Sequence, residues 1–182
     1  MATLGLLMLQ THFPRPLGDV GHPCTFDFAV RQRVVRGATP ERVVRGRDAA
    51  ALHPFIDAAR ELVTQRCDAM ATSCGFLARW QRELQAALPV PVWSSSLLQL
   101  AEQQALGRRC GVITIEAASL GAAHFEGVGA DPATPVEGIE PGSALHRRLM
   151  LDLPELDEAD AQRQVLAAAG RLRRRHPDID TL

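Results

Sequence analysis

Cys74 lies at a point in the sequence where a thiol could do chemistry. The stretch DAMATSCGFLA, Asp68 to Ala78, predicts a short buried strand over Asp68 to Thr72 and then a helix with an apolar face. Cys74 would therefore lie between a strand's carboxyl end and a helix's amino end, where free NH groups and the helix dipole favour a bound carboxylate and an ionised thiol. Gly75 lets a ligand approach the backbone. The structural alternative is a small buried apolar residue, the usual role of a free cysteine.

Three segments carry a resemblance to a known family: DVGHPCTFDFAVRQRVV (residues 19–35), TSCGFLA (72–78) and VPVWSSSLLQ (90–99). In these segments the chain resembles the aspartate/glutamate/hydantoin racemases, cofactor-independent enzymes whose superfamily includes maleate isomerase and arylmalonate decarboxylase. The resemblance implies an α/β fold of two similar Rossmann-like lobes with mostly parallel sheets, and an active site in the cleft between them. It also implies a racemase or isomerase of small carboxylic acids, of the amino-acid or hydantoin type.

The resemblance implies a set of residues around this cleft. Cys74 corresponds to the first of the family's two catalytic cysteines, as thiolate base or nucleophile. The residues expected to offer hydroxyls and backbone NH groups to substrate carboxylates are Thr11, Ser73, Gly75, Phe76, Ser95 and Thr114. For the serines the alternative role is helix capping, which is compatible with ligand binding. We expect no cofactor and no metal ligands.

The family's second cysteine lies in its last strand, in a motif like ECTN, and the sequence reaches Leu182 without one. Cys24, Cys67 and Cys110 do not match that motif, and we expect Cys67 and Cys110 to be core residues. Racemisation needs a base and an acid on opposite faces of the substrate. We therefore expect a second lobe without its last strand, an exposed strand edge that favours homo-oligomers, and negligible racemisation. The alternative is a truncated or catalytically impaired family member that keeps only a carboxylate-binding cleft.

Strands and helices alternate along the chain, which predicts a mostly parallel sheet with right-handed crossovers. The predicted elements are strands at 4–9, 68–72, 90–93, 110–115, 136–139 and 178–182, and helices at 48–66, after Gly75, at 97–106, before Phe125, after Ser143 and after Asp157. Ala58, Ala59, Leu62 and Asp68 recur 110 positions later as Ala168, Ala169, Leu172 and Asp178. This weak repeat suits two lobes, residues 1–96 and 97–182.

The loop from Thr11 to Asp27 is rich in Pro and Gly and leaves the first strand where open α/β sheets bind ligands. We expect it near the cleft, although it could be an ordinary surface loop; His12 and His22 could then reach the cleft. A partly buried extended segment is expected from Phe26 to Val35.

The long helix after Asp157 should face the core with one apolar stripe: Val165, Leu166, Ala169 and Leu172. Its run of arginines after Gly170 should be a solvated helix end rather than a nucleic-acid patch.

Composition excludes several classes of function. The chain has 182 residues, 46% of them hydrophobic, and a formal net charge of -1, so no nucleic-acid or anionic-membrane partner is expected. Its four cysteines form no CxxC pair, which favours a reducing compartment. The apolar start lacks the basic flank and cleavage site of a signal peptide. We expect a cytoplasmic protein whose partner is a small carboxylate substrate.

Overall fold

The structure is a computed structural model that describes residues 2–46 and 48–182; Met1, with which the predicted first lobe begins, and Arg47 lie outside the described residues. A four-stranded parallel sheet has the order β2-β1-β3-β4, and a two-stranded parallel sheet pairs β5 with β6. The strands are β1 (Thr3–Leu9), β2 (Ala29–Val35), β3 (Ala69–Thr72), β4 (Val92–Trp93), β5 (Val112–Thr114) and β6 (Val136–Gly138). The predicted α/β class with mostly parallel sheets is confirmed.

Six α-helices connect these strands within the described residues: α1 (His53–Thr64), α2 (Gln81–Ala86), α3 (Leu97–Ala105), α4 (Ala122–Val128), α5 (Ala144–Leu151) and α6 (Glu158–Arg175). Short 3-10 turns at Ala49–Leu52, Gly75–Trp80 and Ala117–Ser119, and a π turn at Glu41–Arg45, complete the connections. None of the described helices is long and apolar enough to cross a membrane.

The centre of the first sheet is β1, which pairs with β2 on one side and β3 on the other. Leu7 is fully buried and lies opposite Thr72 in the parallel register. Helix α1 packs closely on this sheet, since a Cβ at Gly5 would lie 3.2 Å from Leu62 Cδ1. Because parallel strands end at the same edge, the chain segments after β1 and β3 leave the sheet side by side.

Strand β2 differs from the expectation of a partly buried segment. Its residues are mostly exposed, and Val35 is the one described residue of β2 that is buried. The reason is its position at the edge of the sheet, where exposed Arg31 and Arg33 discourage pairing with another chain.

The second sheet shares one continuous core with the first, which joins Phe55 of α1 to Phe125 of α4 and Met150 of α5. The predicted final strand is reduced to one parallel bridge between Cys110 and Thr181. The lobe boundary between residues 96 and 97 falls at the first residue of α3 and stays a prediction.

The predicted inward stripe of α6 is wrong at two positions, because Val165 and Leu166 are 41% and 62% exposed. Leu172 is buried as predicted, and the other buried apolar residue of this helix is Ala168, one turn before it. The helix is therefore rotated relative to the prediction, and this rotation turns Arg171 toward β6.

Two arginines of α6 bind a buried carboxylate, so the arginine run is not simply a solvated helix end. Arg171 Nε lies 2.7 Å from Glu137 Oε1, and Arg175 NH1 lies 2.7 Å from Glu137 Oε2. Arg171 NH2 also donates to the Gly138 carbonyl at 2.8 Å. The Glu137 side chain is 8% exposed, so these bonds replace the water that burial removes. They fasten α6 to the second sheet.

The variant Arg171→Gln should lower the free energy of unfolding by about 1 to 3 kcal/mol, since it removes charge-assisted bonds to a buried carboxylate. Urea unfolding followed by circular dichroism measures the change. Arg173→Gln is the matched control, because Arg173 is an exposed arginine of the same helix. Equal stability of the two variants would show that the Glu137 contacts do not hold α6.

Candidate functional site

A cavity of about 340 Å³ lies at the carboxyl ends of β3 and β5 and between the two sheets. Cys74 lies in its wall, directly after β3 and before the 3-10 turn Gly75–Trp80. Five of the predicted site residues line this cavity: Ser73, Cys74, Gly75, Phe76 and Thr114. The fold thus brings residues from both sheets to one concave site, which we call the thiol cavity.

The other two predicted residues, Thr11 and Ser95, lie outside the described wall of this cavity, which contains Ser96 instead. Ser95 Oγ accepts a hydrogen bond from the Leu97 backbone at 3.1 Å, the capping role that was the alternative for this residue. Ser73 Oγ likewise accepts a bond from the Leu9 backbone at 3.0 Å and links β3 to the end of β1. Their hydroxyls therefore hold the backbone around the cavity.

Arg15, which the sequence reading did not single out, supplies a cation to the thiol cavity. Its Nη2 donates to Thr11 Oγ1 at 2.8 Å, and its Nη1 donates to both oxygens of Asp19, at 3.2 and 3.3 Å. The guanidinium lies over the Phe13 ring, 4.6 Å from the centroid, and its side chain is 16% exposed. Thr11 therefore contacts a residue of the cavity wall without lining the wall itself. The sequence feature that could have identified this residue is that Arg15 is the one arginine between residues 10 and 28.

The loop that carries Arg15 is anchored to Asp152, which follows α5 in a left-handed conformation with φ 55°. Asp152 accepts bonds from the backbone of His12 at 2.6 Å and of Phe13 at 3.3 Å, and its other oxygen lies 2.5 Å from His12 Nδ1. The loop is thus near the cleft as expected. The His12 side chain, however, is 72% exposed and binds Asp152, while His22 Nδ1 accepts from the Cys24 backbone.

The Asp152 anchor is electrostatic as well as geometric. Burial raises the pKa of this carboxyl. The hydrogen bonds from His12 and Phe13 and the charge of His12 lower it, and together they outweigh the effect of burial. The net pKa lies below the ordinary value of 3.8, so the carboxylate stays ionised.

At Cys74, whose side chain is buried, the net shift of the pKa is upward. Burial raises the pKa of the thiol from 9.0 to about 11, while a hydrogen bond from the Phe76 backbone and the charge of Arg15 lower it in part. The neutral thiol therefore predominates at pH 7, which corrects the expectation of easy ionisation: desolvation outweighs the amide contacts. Cys67 and Cys110 are buried as predicted, and burial also raises the pKa of each thiol.

Within residues 2–46 and 48–182, no group of three or more His, Cys, Asp or Glu side chains is placed to hold a metal ion. The polar groups that the chain itself brings to the thiol cavity are the Cys74 thiol, the Arg15 guanidinium, the Asp19 carboxylate, backbone amides and hydroxyls.

The fold matches that of arylmalonate decarboxylase, a member of the superfamily that the sequence resembles. A mutant of that enzyme superposes with a TM-score of 0.61 and 18% identity over 98% of this chain and 75% of the other chain. Its unliganded form superposes with a TM-score of 0.54 and 15% identity over 100% of this chain and 86% of the other. At these identities the match establishes a racemase-like fold and not an activity.

Sequence comparison finds a different branch of proteins. The chain is 34% identical over 99 residues to dimethylsulfoniopropionate lyase 7 of Emiliania huxleyi (strain CCMP1516), a match that covers 54% of this chain and 29% of that lyase. It is 35% identical over 128 residues to the dimethylsulfoniopropionate lyase of Durusdinium sp. clade D, with coverage of 68% and 42%. The chain thus spans less than half the length of these relatives. No protein-family model matches it.

At alkaline pH Cys74 should be alkylated by iodoacetamide faster than Cys67 and Cys110, because it lines the thiol cavity and Arg15 offsets part of the rise that burial causes in its pKa. Its rate should climb with pH up to about 11, following the fraction of thiolate. Peptide mapping by mass spectrometry after timed labelling measures each site. Labelling of Cys74 no faster than that of Cys67 would contradict this arrangement.

Asp152→Asn should loosen the loop from Thr11 to Asp27, because an amide binds the His12 and Phe13 backbone less strongly than a carboxylate. Hydrogen exchange of the loop amides should accelerate in this variant and not in Asp57→Asn, an exposed position on α1. Since the pKa of Asp152 is lowered in the folded chain, its contribution to stability is present above pH 3.8 and is lost as the pH falls through the folded-state pKa. Unchanged loop exchange in the variant would contradict the anchor.

Proposed function

We propose that this chain is a cofactor-independent enzyme that removes the proton next to the carboxylate of a small acid, with the Cys74 thiolate as the base. The observation that carries the proposal is that Cys74 and Arg15 line one cavity at the carboxyl ends of strands from both sheets. Such a proton is acidic only when the charge that develops on the carboxylate is stabilised. Arg15 and the backbone amide of Gly75 are the donors available for that task, while the Phe76 amide donates to the Cys74 sulfur.

The reaction that fits one thiol is an elimination. Racemisation needs a base on one face of the carbon and an acid on the other, whereas an elimination needs only the base. In dimethylsulfoniopropionate, the substrate named for the relatives, the carbon beyond the acidic one bears a dimethylsulfonio group. Transfer of the α-proton to Cys74 sulfur would leave its electron pair to form the C=C bond of the unsaturated acid. The C–S bond breaks at the same time, and dimethyl sulfide leaves as a neutral molecule that needs no acid.

A buried thiol with a raised pKa suits such a substrate. A positive sulfonium close to sulfur stabilises the thiolate, so the substrate itself would lower the pKa of Cys74 on binding. The cavity wall also offers Phe13, Leu120 and Met150, whose side chains suit methyl groups and, for the aromatic ring, a cation. The charges of Arg15 and Asp19 match a zwitterion, with the carboxylate next to Arg15.

A second candidate is a protein that binds small carboxylates without turnover. The observation that favours it is the pKa of about 11 at Cys74, which leaves little thiolate at pH 7 unless a ligand changes it. The racemase or isomerase activity that the resemblance implies is a third outcome of the same experiments. It would require an acid that faces Cys74 across the cavity.

The wild-type chain should release dimethyl sulfide from dimethylsulfoniopropionate, and Cys74→Ala should lower kcat/KM by about 10²- to 10⁴-fold, the range for loss of a general base. Cys24→Ser, which removes an exposed thiol, is the matched control and should keep full activity. Headspace gas chromatography measures the product. Arg15→Gln should raise KM and lower kcat, because the carboxylate loses its cation in both the bound substrate and the transition state.

Three other outcomes separate the candidates. Binding of propionate by calorimetry, with no dimethyl sulfide and no α-hydrogen exchange, would favour the binding protein. Loss of optical rotation from amino acids or hydantoins, abolished by Cys74→Ala, would favour the racemase. Full lyase activity in Cys74→Ala would eliminate the proposed base.

A further inference from the structure

A second cavity of about 300 Å³ lies beside the thiol cavity and shares Val44 with it. We call it the arginine cavity, because its described wall contains Arg45, Arg79 and His124 together with Ser119 and backbone groups near the start of α4. None of the described residues in this wall carries a carboxylate. The arginine cavity is therefore a concave surface that offers hydrogen-bond donors and positive charge.

Both arginines are held in place by bonds that leave donors free. Arg79 NH1 donates to the Gly46 carbonyl at 3.2 Å, and its guanidinium lies 4.7 Å from the centroid of the Trp80 ring. Arg45 Nε lies 3.1 and 3.0 Å from the two oxygens of Glu116. A guanidinium has five N–H groups in a rigid plane, so each arginine retains further donors for a ligand. Fixed arginines of this kind recognise carboxylate and phosphate groups well.

The charges of this group do not cancel. Glu116 pairs with Arg45 and Glu41 also acts on its charge, but both carboxylates lie outside the cavity wall, and Arg79 forms no ion pair among the described residues. His146 also faces Glu116, at 3.7 Å, and belongs to the same electrostatic group. The cavity volume of about 300 Å³ exceeds that of an inorganic ion, which leaves room for the body of a small metabolite.

His124 connects the arginine cavity to the thiol cavity. Its ring lies edge-on to Phe76, with centroids 5.5 Å apart, and Phe76 lines the thiol cavity. Burial lowers the pKa of His124, the Gly121 backbone raises it and the charge of Arg79 lowers it, with a net downward shift. The ring is therefore neutral at pH 7, and a nearby anion would favour its protonation.

We propose that the arginine cavity is a second ligand site, which binds the phosphate or carboxylate group of a small metabolite between Arg45 and Arg79. Nothing in the proposed elimination uses these residues, and the site is separated from Cys74 by Phe76 and Val44. Binding at this site requires no turnover. Its test is thus independent of whether Cys74 is a base.

The experiment is calorimetry at low salt with inorganic phosphate and with acetate, each titrated into the wild-type chain. We expect at least one probe to bind, and Arg79→Gln to weaken that binding about tenfold or more, the usual effect of losing a charge-assisted bond. Arg82→Gln is the matched control. It removes the same charge three residues away, where an exposed arginine donates to the Glu126 carbonyl outside the cavity wall. The probe that binds tells phosphate and carboxylate ligands apart.

One further variant and one measurement make the result decisive. Arg15→Gln should not affect this binding, since Arg15 lies in the thiol cavity. In the wild-type chain, saturation with the bound probe should raise the pKa of His124, followed by the NMR shift of its ring carbon proton, so the proposal does not depend on the folding of Arg79→Gln. No binding of either probe, equal losses in Arg79→Gln and Arg82→Gln, loss confined to Arg15→Gln, or an unchanged pKa of His124 would each overturn the proposal.

Discussion

Burial of the Cys74 thiol is the physical constraint on which the rest of the site depends. The same desolvation that protects the sulfur raises its pKa to about 11, so the thiol needs a positive neighbour before it can act as a base at pH 7. Arg15 supplies part of that charge from the fold, and a cationic substrate would supply more. The proposed function therefore requires a ligand that carries both a carboxylate and a positive group, because neither the protein cation nor the backbone amides alone restore the thiolate.

The fold meets this constraint by bringing separate chain segments to one edge. Strands β1 and β3 are parallel neighbours, so the loop after Leu9 and the turn after Thr72 emerge together. The first delivers Arg15 and the second delivers Cys74. Asp152 then holds the loop down from the side of α5, which itself contributes Leu149 and Met150 to the wall. The cavity is therefore a property of the joined sheets and not of either one.

The sequence predicted the parts of this arrangement that depend on local pattern. A short apolar strand that breaks at Ser73, Cys74 and Gly75 placed the cysteine correctly at the strand's end. The sequence pattern did not predict the position of Arg15, because the path of an irregular loop depends on distant contacts such as that of His12 with Asp152. The apolar pattern also misplaced Val165 and Leu166 of α6, because the side of this helix that faces β6 includes Arg171, a charged residue that does not belong to an apolar stripe. Local periodicity cannot foresee a charged residue whose partner, Glu137, lies 34 positions away.

The most direct test of the central claim is a competition between dimethylsulfoniopropionate and the same compound deuterated at the carbon next to its carboxylate. Mass spectrometry of the unreacted substrate measures their relative consumption by the wild-type chain. If the Cys74 thiolate removes that proton, the unlabelled compound is consumed faster, and Cys74→Ser loses both the reaction and the preference. Equal consumption of the two compounds, together with retained activity in Cys74→Ser, would contradict the account.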